Sequence, residues 1–155
     1  MSNLFSGDPM IRLAAFAAIL SLSTSLAMAQ DFDPLEGLYT GNGEGELSAE
    51  FSHIENDVYA FSMSTSVPME NDIPGCGGGI EGEVVIRDNV GLFSAPNELY
   101  DATSDLTAFN TPQCQIRLEF DDNYGLVVTE EAGCTYYHGA ACGFSGQLLH
   151  EAAGI

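Results

Sequence analysis

Four cysteines are the residues of this chain whose type and spacing suggest chemistry most directly. Cys76, Cys114, Cys134 and Cys142 are separated by 38, 20 and 8 residues. A structural zinc site needs closer pairs, such as Cys-x-x-Cys, and the sequence contains none. An even number of cysteines in a small exported domain is typical of disulfides. We therefore expect two disulfides, in one of three connectivities.

The hairpin around Asn123 and Tyr124 selects one of these connectivities. If the turn centres there, the numbers of paired residues add to about 248, which places Cys114 opposite Cys134. Cys76 is then left to pair with Cys142. Because this second bridge closes the longer loop, chain entropy predicts that it stabilises the fold by roughly 4 kcal/mol, against about 3 kcal/mol for the first.

The three histidines, His53, His138 and His150, match no metal-binding or catalytic motif. His53 falls on a strand face predicted to point inward, where a hydrogen-bonded core or rim histidine is expected. A Cys–His nucleophile is disfavoured because every cysteine has a predicted disulfide partner. We therefore predict no catalytic residue, no cofactor and no metal ligand, and expect that the protein is not an enzyme.

Two further segments carry residues that bind ions in other proteins. The stretch 121–125, with Glu130 and Glu131 nearby, supplies oxygen ligands of the kind that calcium prefers, but it lacks the spacing of an EF-hand. A plain hairpin turn is predicted there, with weak calcium binding as the alternative. The glycine-rich segment 75–79 is not followed by the Lys-Ser/Thr of a phosphate loop, and it is predicted to be a flexible flank of Cys76.

The charge of the chain excludes several classes of function. It has 23 acidic residues, three arginines and no lysine, for a formal net charge of −20. Lysine-dependent chemistry is therefore absent, and the overall field opposes binding to nucleic acid or to anionic lipid. Two interpretations stay open: the charge maintains solubility, or it attracts a cationic protein or divalent cations.

The N-terminal segment 1–29 is predicted to be a cleavable signal peptide. Arg12 precedes the apolar run 13–20, and Ala27-Met28-Ala29 forms a small-residue cleavage site. Asp8 and the lack of a basic residue in positions 1–9 suggest Met10 as an alternative start. Cleavage would leave residues 30–155 as a single acidic β-domain, periplasmic or secreted and not inserted in a membrane.

The remaining chain is predicted to be all-β, because period-two alternation recurs and no long amphipathic helix is found. Seven or eight short strands indicate a small antiparallel barrel or sandwich. The strands are expected within 37–40, 46–53, 59–64, 80–86, 91–93, 114–120, 126–129 and 143–150. The connections between them are a turn at 41–43, a loop at 68–79, and a long connection over 95–113 with one helical turn near 97–100.

The C-terminal third resembles a known group of proteins. Cys114-x-Ile-x-Leu-x-Phe, followed by Cys134-Thr-Tyr-Tyr-His-Gly-Ala-Ala-Cys142-Gly-Phe-Ser-Gly, is similar to the ending of small Cys-paired β-domains of bacterial envelopes, including lysozyme-inhibitor-like proteins. The membrane-bound inhibitors of C-type lysozyme carry a Ser-Gly-x-x-Tyr element, which aligns with residues 145–149 with leucine in place of the tyrosine. The resemblance implies a barrel of about eight strands and a partner-binding region containing Tyr136, Tyr137, His138, Ser145 and Gly146.

Charge and resemblance together predict an exported acidic binding protein. Its expected partner is a cationic protein, and inhibition of lysozyme is the most specific form of this expectation, because lysozymes are strongly basic. The alternative is a divalent-cation-binding or structural envelope protein without catalytic activity. The sequence leaves the oligomeric state open.

Overall fold

The computed structural model describes residues 33–154, and the predicted signal peptide lies outside them. Within the described residues the chain forms eight strands and one short 3₁₀ helix. The strands are β1 (Gly37–Gly43), β2 (Glu46–Glu55), β3 (Val58–Val67), β4 (Cys76–Arg87), β5 (Val90–Pro96), β6 (Gln113–Phe120), β7 (Gly125–Ala132) and β8 (Gly146–His150), and the 3₁₀ helix is Cys134–Tyr136. The prediction of an all-β fold of seven or eight strands is confirmed.

The strands form a closed antiparallel barrel in which each strand pairs with its neighbours in sequence and β8 pairs with β1. Closure leaves no free sheet edge at the ends of the strand order. Tight turns join most strands, and residues with positive φ, such as Asn56, Asn89 and Tyr124, are placed in them. The turn predicted at 41–43 is wrong, because β1 continues to Gly43 and the chain reverses at 44–45.

The barrel interior is filled by the inward residues of every strand, as expected for a barrel of this size. Phe51, Phe61, Phe93 and Phe120 form one aromatic cluster in it. His53 was predicted to point inward, but its side chain is exposed and stacks on Tyr59 at a ring-centroid distance of 5.2 Å. The register between β2 and β3 shifts just beyond His53, and β2 is exposed from Ser52 to Glu55, whereas Tyr59 opposite His53 stays buried.

Other boundaries and connections also differ from the sequence-based expectation. The glycine run at 77–79 belongs to β4, which pairs with β3 from Cys76 to Val85, so it is not a loop. β8 begins at Gly146, three residues later than predicted. The connection from Asn97 to Pro112 contains none of the eight strands and not the 3₁₀ helix. The helical turn predicted within it is a single turn, in which the Tyr100 amide donates to Asn97 O at 3.1 Å.

Both predicted disulfides are present. Cys76 bonds to Cys142 and Cys114 bonds to Cys134, with Cα–Cα distances of 5.8 and 4.3 Å. The register between β6 and β7 adds to 246 rather than 248 over most of the ladder, and a bulge near Gln115 changes it. Cys134 consequently lies in the 3₁₀ helix just after β7, close enough to bond. Two disulfides are consistent with a periplasmic or extracellular protein.

In residues 33–154 no helix reaches the length and apolar character that crossing a membrane requires.

Candidate functional site

An acidic trough lies on the outer wall of the barrel, across β2, β3 and β4. Strand alternation turns the large side chains of β3 inward and leaves only small ones outside, at Ala60, Ser62, Ser64 and Ser66. The flanking strands carry glutamates at the neighbouring outward positions. We define the acidic trough by its floor, Ala60, Ser62 and Ser64, and its walls, Ser48, Glu50 and Ser52 on β2 and Glu81 and Glu83 on β4.

The register of the three strands determines which walls face each other. Glu50, Ser62 and Glu81 form one cross-strand row, and Ser52, Ala60 and Glu83 form the next. The backbones of Glu50 and Glu81 are therefore separated by two strand spacings, about 10 Å. Two adjoining depressions of about 530 and 490 Å³ share these rows. A wall-to-wall gap of this size admits an ammonium or guanidinium group.

The wall carboxylates of the trough have no cationic partner in the part of the chain that the structure describes. Within residues 33–154 the arginines are Arg87, which pairs with Asp57 at 3.0 Å, and Arg117, which pairs with Glu119 at 3.2 Å. Glu50, Glu81 and Glu83 make no ion pair or side-chain hydrogen bond with any described residue. Their negative potential therefore stays available to a ligand.

Tyr137 connects the trough to the partner-binding region predicted from the C-terminal third. It lines the larger depression beside Gly79 and Glu81. Its backbone carbonyl accepts the Gly79 amide at 3.1 Å, and its hydroxyl donates to Pro96 O at 2.5 Å. Tyr136, the preceding residue, is 43% exposed and packs edge-on against Tyr137.

The other three predicted partner-binding residues, His138, Ser145 and Gly146, are largely taken up by contacts within the protein. The side chain of His138 is only 7% exposed, and its Nε2 lies 3.0 Å from Glu130 Oε2. The Glu130 amide in turn donates to Ser145 Oγ at 2.9 Å, and Gly146 is the first residue of β8. His138 Nδ1 lies 2.8 Å from Gly139 O, so both ring nitrogens face oxygen acceptors.

The opposite end of the barrel is closed by the segment that precedes β1. Tyr59 donates its hydroxyl to Asp33 Oδ2 at 2.7 Å, and burial together with this bond raises the pKa of Tyr59. His150 is buried, with Nε2 against Glu36 O and Nδ1 accepting the Ala152 amide, both at 2.9 Å. This arrangement defines a neutral ring that donates from Nε2. These contacts anchor the end of the barrel.

The turn at 121–125 has the hairpin geometry predicted for it. Asp121 Oδ1 accepts the amides of Asn123 and Gly125 at 2.7 and 2.8 Å. These bonds direct the carboxylate toward its own turn. Among residues 33–154, no group of three or more His, Cys, Asp or Glu side chains is placed to hold a metal ion.

No family model, curated protein or solved structure matches this chain. Its function must therefore be inferred from its own residues. Sequence reasoning missed the acidic trough, although its signal was present as small outward residues on β3 between glutamate-bearing strands. Recognising it required the register that places Glu50 and Glu81 in one row.

Proposed function

We propose that this protein is an exported, non-catalytic binding protein that captures a cationic protein through its acidic trough. Inhibition of a basic enzyme such as lysozyme is the most specific form of the proposal. The observation that carries it is the row of Glu50 and Glu81 facing each other across the small side chain of Ser62, with no cation among residues 33–154 to neutralise them.

The charge of the whole molecule supports this proposal through the rate of encounter. A formal charge of −20 attracts a basic protein over a distance set by the ionic strength, about 10 Å at 0.1 M salt. Such steering raises association rates and falls steeply with added salt. The trough then supplies the local geometry, since lysine or arginine side chains can lie on a floor without bulky groups and reach carboxylates on both walls.

The predicted export supports the same proposal from a second direction. A signal peptide at 1–29 would deliver the domain to the periplasm or the medium, where secreted basic enzymes are found. Both disulfides suit that oxidising environment.

A binding titration with a C-type lysozyme at low salt tests the proposal. Wild-type protein should bind and reduce lytic activity, and the triple variant Glu50→Gln, Glu81→Gln, Glu83→Gln should bind about 10-fold to 100-fold more weakly, from roughly 0.5–1 kcal/mol for each exposed charge pair. The variant is expected to stay folded, because all three side chains are exposed.

The matched control carries the same change of net charge away from the trough: Asp88→Asn, Asp122→Asn, Glu151→Gln. It should lose much less affinity, because it keeps the trough walls. Equal losses in the two variants would show that only net charge matters and would contradict the assignment of the trough. Full lysozyme activity with excess wild-type protein at low salt would refute inhibition of that enzyme.

A further inference from the structure

The connection between β5 and β6, residues 97–112, has the properties of a compact Ω-loop. Its two ends meet, because the Asn97 amide donates to Pro112 O at 3.0 Å. Loops of this type are closed at the base, are held together by their own side chains and are frequently functional. We call this segment the Ω-loop.

The Ω-loop is held in shape by its own polar residues. Asn110 accepts the Asp101 amide at 2.9 Å through Oδ1, and its Nδ2 donates to the carbonyls of Asp101 and Asp105 at 3.0 and 2.9 Å. The Asp101 carboxylate accepts the hydroxyls of Thr103 and Ser104 at 2.6 and 2.7 Å. These hydrogen bonds lower the pKa of Asp101 to about 2. The carboxylate is thus ionised and occupied within the loop.

The base of the Ω-loop is bound to the segment that follows β7. The Asn97 Nδ2 donates to Gly133 O at 2.9 Å, and the Thr135 hydroxyl donates to Ala108 O at 2.6 Å. The Tyr137 hydroxyl donates to Pro96 O, immediately before the loop. Tyr137 also lines the larger depression of the acidic trough, so this one residue contacts both the trough and the strand end from which the loop departs.

The large apolar side chains of this loop point away from the protein. Leu99, Leu106 and Phe109 are 77, 68 and 81% exposed. Nothing in the described part of the chain covers them, although Asp101 and Asn110 of the same loop are held by hydrogen bonds within it. A pre-ordered loop loses little conformational entropy on binding. Three large apolar side chains exposed on one such loop therefore favour an interaction site there.

We propose that the Ω-loop inserts Leu99, Leu106 and Phe109 into an apolar cleft of the same cationic protein that the acidic trough attracts. This inference rests on the proposed function and adds the element that supplies salt-resistant affinity. The charge of −20 argues for this occupant, since it repels both a second copy of the chain and an anionic lipid surface. Glu98 and Asp105, exposed on the same loop, favour a cleft with a basic rim.

We expect binding through the acidic trough and binding through the Ω-loop to respond differently to salt. Attraction to the trough weakens as salt shortens the range of electrostatic forces, whereas burial of apolar side chains persists. Replacing the apolar side chains of the loop with serine should therefore accelerate dissociation and remove the affinity that remains at high salt. Neutralising the trough should reduce the low-salt affinity and the slope of affinity against salt.

The test measures binding of a C-type lysozyme at about 0.02 M and about 0.5 M salt. The loop variant is Leu99→Ser, Leu106→Ser, Phe109→Ser, and the control is Leu92→Ser, Val127→Ser, Leu149→Ser, at exposed positions on the barrel wall. At high salt the loop variant should bind on the order of 100-fold more weakly than wild type, and the control within about 3-fold. Melting temperatures establish that both variants are folded.

The outcomes separate failure of the loop from failure of the proposed function. If wild type binds and the trough variant loses low-salt affinity while the loop variant matches its control, the loop inference is wrong and the proposed function stands. If the wild-type protein binds at neither salt concentration, both the loop inference and the proposed function are refuted. Loop-dependent co-sedimentation of wild type with phosphatidylcholine vesicles, or a loop-dependent dimer at high salt, would assign the apolar side chains to another occupant and overturn the inference.

Discussion

Gly78 occupies a position in β4 where the structure leaves no room for a methyl group. A Cβ built at Gly78 would lie 2.3 Å from His138 Cβ and 2.6 Å from both His138 Cα and Tyr137 O. Real Cβ atoms essentially never approach other atoms this closely. The obstruction is mostly backbone, so a change of side-chain rotamer cannot relieve it. We therefore expect Gly78→Ala to push the 137–139 segment off the strand.

The cost of this displacement can be estimated from the contacts that hold the segment. The Gly79 amide donates to Tyr137 O at 3.1 Å, and the Gly139 amide donates to Gly77 O at 3.2 Å. Loss of two hydrogen bonds and the strain of overpacking together amount to about 3 kcal/mol. For a domain of this size that lowers the melting temperature by roughly 10 °C.

The matched control is the neighbouring glycine of the same strand. A Cβ at Gly77 meets nothing closer than Thr65 O at 3.8 Å, an ordinary contact. Gly77→Ala should therefore be neutral or stabilise the protein by about 0.4–1 kcal/mol, because alanine has less conformational entropy to lose on folding. Calorimetry compares the melting temperatures of the two variants, and hydrogen exchange of the Gly79 amide reports on the local contact with Tyr137. Melting temperatures within about 2 °C of each other would refute the reasoning.

Two further predictions follow from the ends of the domain. N-terminal sequencing of the exported protein should begin at Gln30 or within a residue or two, and a mature form that retains 13–26 would contradict export by this signal. Burial, reinforced by the nearby carboxylates of Asp33 and Asp121, raises the pKa of Tyr39 to about 12. The folded protein thus holds this proton more tightly than the unfolded chain, whose tyrosines titrate near pH 10. The resulting stability is complete below about pH 10 and is lost as the pH rises toward about 12. Tyr39→Phe should lose less stability across this window in urea unfolding, and parallel losses in the two proteins would rule out this contribution.

The positions of most strands could be predicted from the sequence, because alternation of side chains reports directly on which residues face the core. Ile116 and Leu118 on β6, and Phe61 and Met63 on β3, are buried as their period-two spacing indicated. His53 shows where this reasoning ends. It continues the same alternation, yet β2 is exposed from Ser52 onward, next to a register shift that leaves no trace in a period-two pattern.

The glycine run 77–79 shows a second limit. Its composition is typical of a loop, but it is a strand because it pairs with β3. Glycine is required at position 78 because the 137–139 segment lies directly against the backbone there. That requirement comes from a segment about sixty residues later in the chain. Local propensity carries no information about such a contact.

The sequence by itself determined the charge, the all-β class and the two disulfides. Cysteine number and hairpin spacing were sufficient for the pairing even though the register was two residues from the prediction, because a disulfide tolerates a range of Cα distances. Only the tertiary structure decided the candidate sites. The acidic trough exists because strand register places Glu50 and Glu81 on either side of Ser62, and the Ω-loop is recognisable because folding leaves Leu99, Leu106 and Phe109 uncovered. Both depend on relations between distant residues, which the pattern along a single strand does not encode.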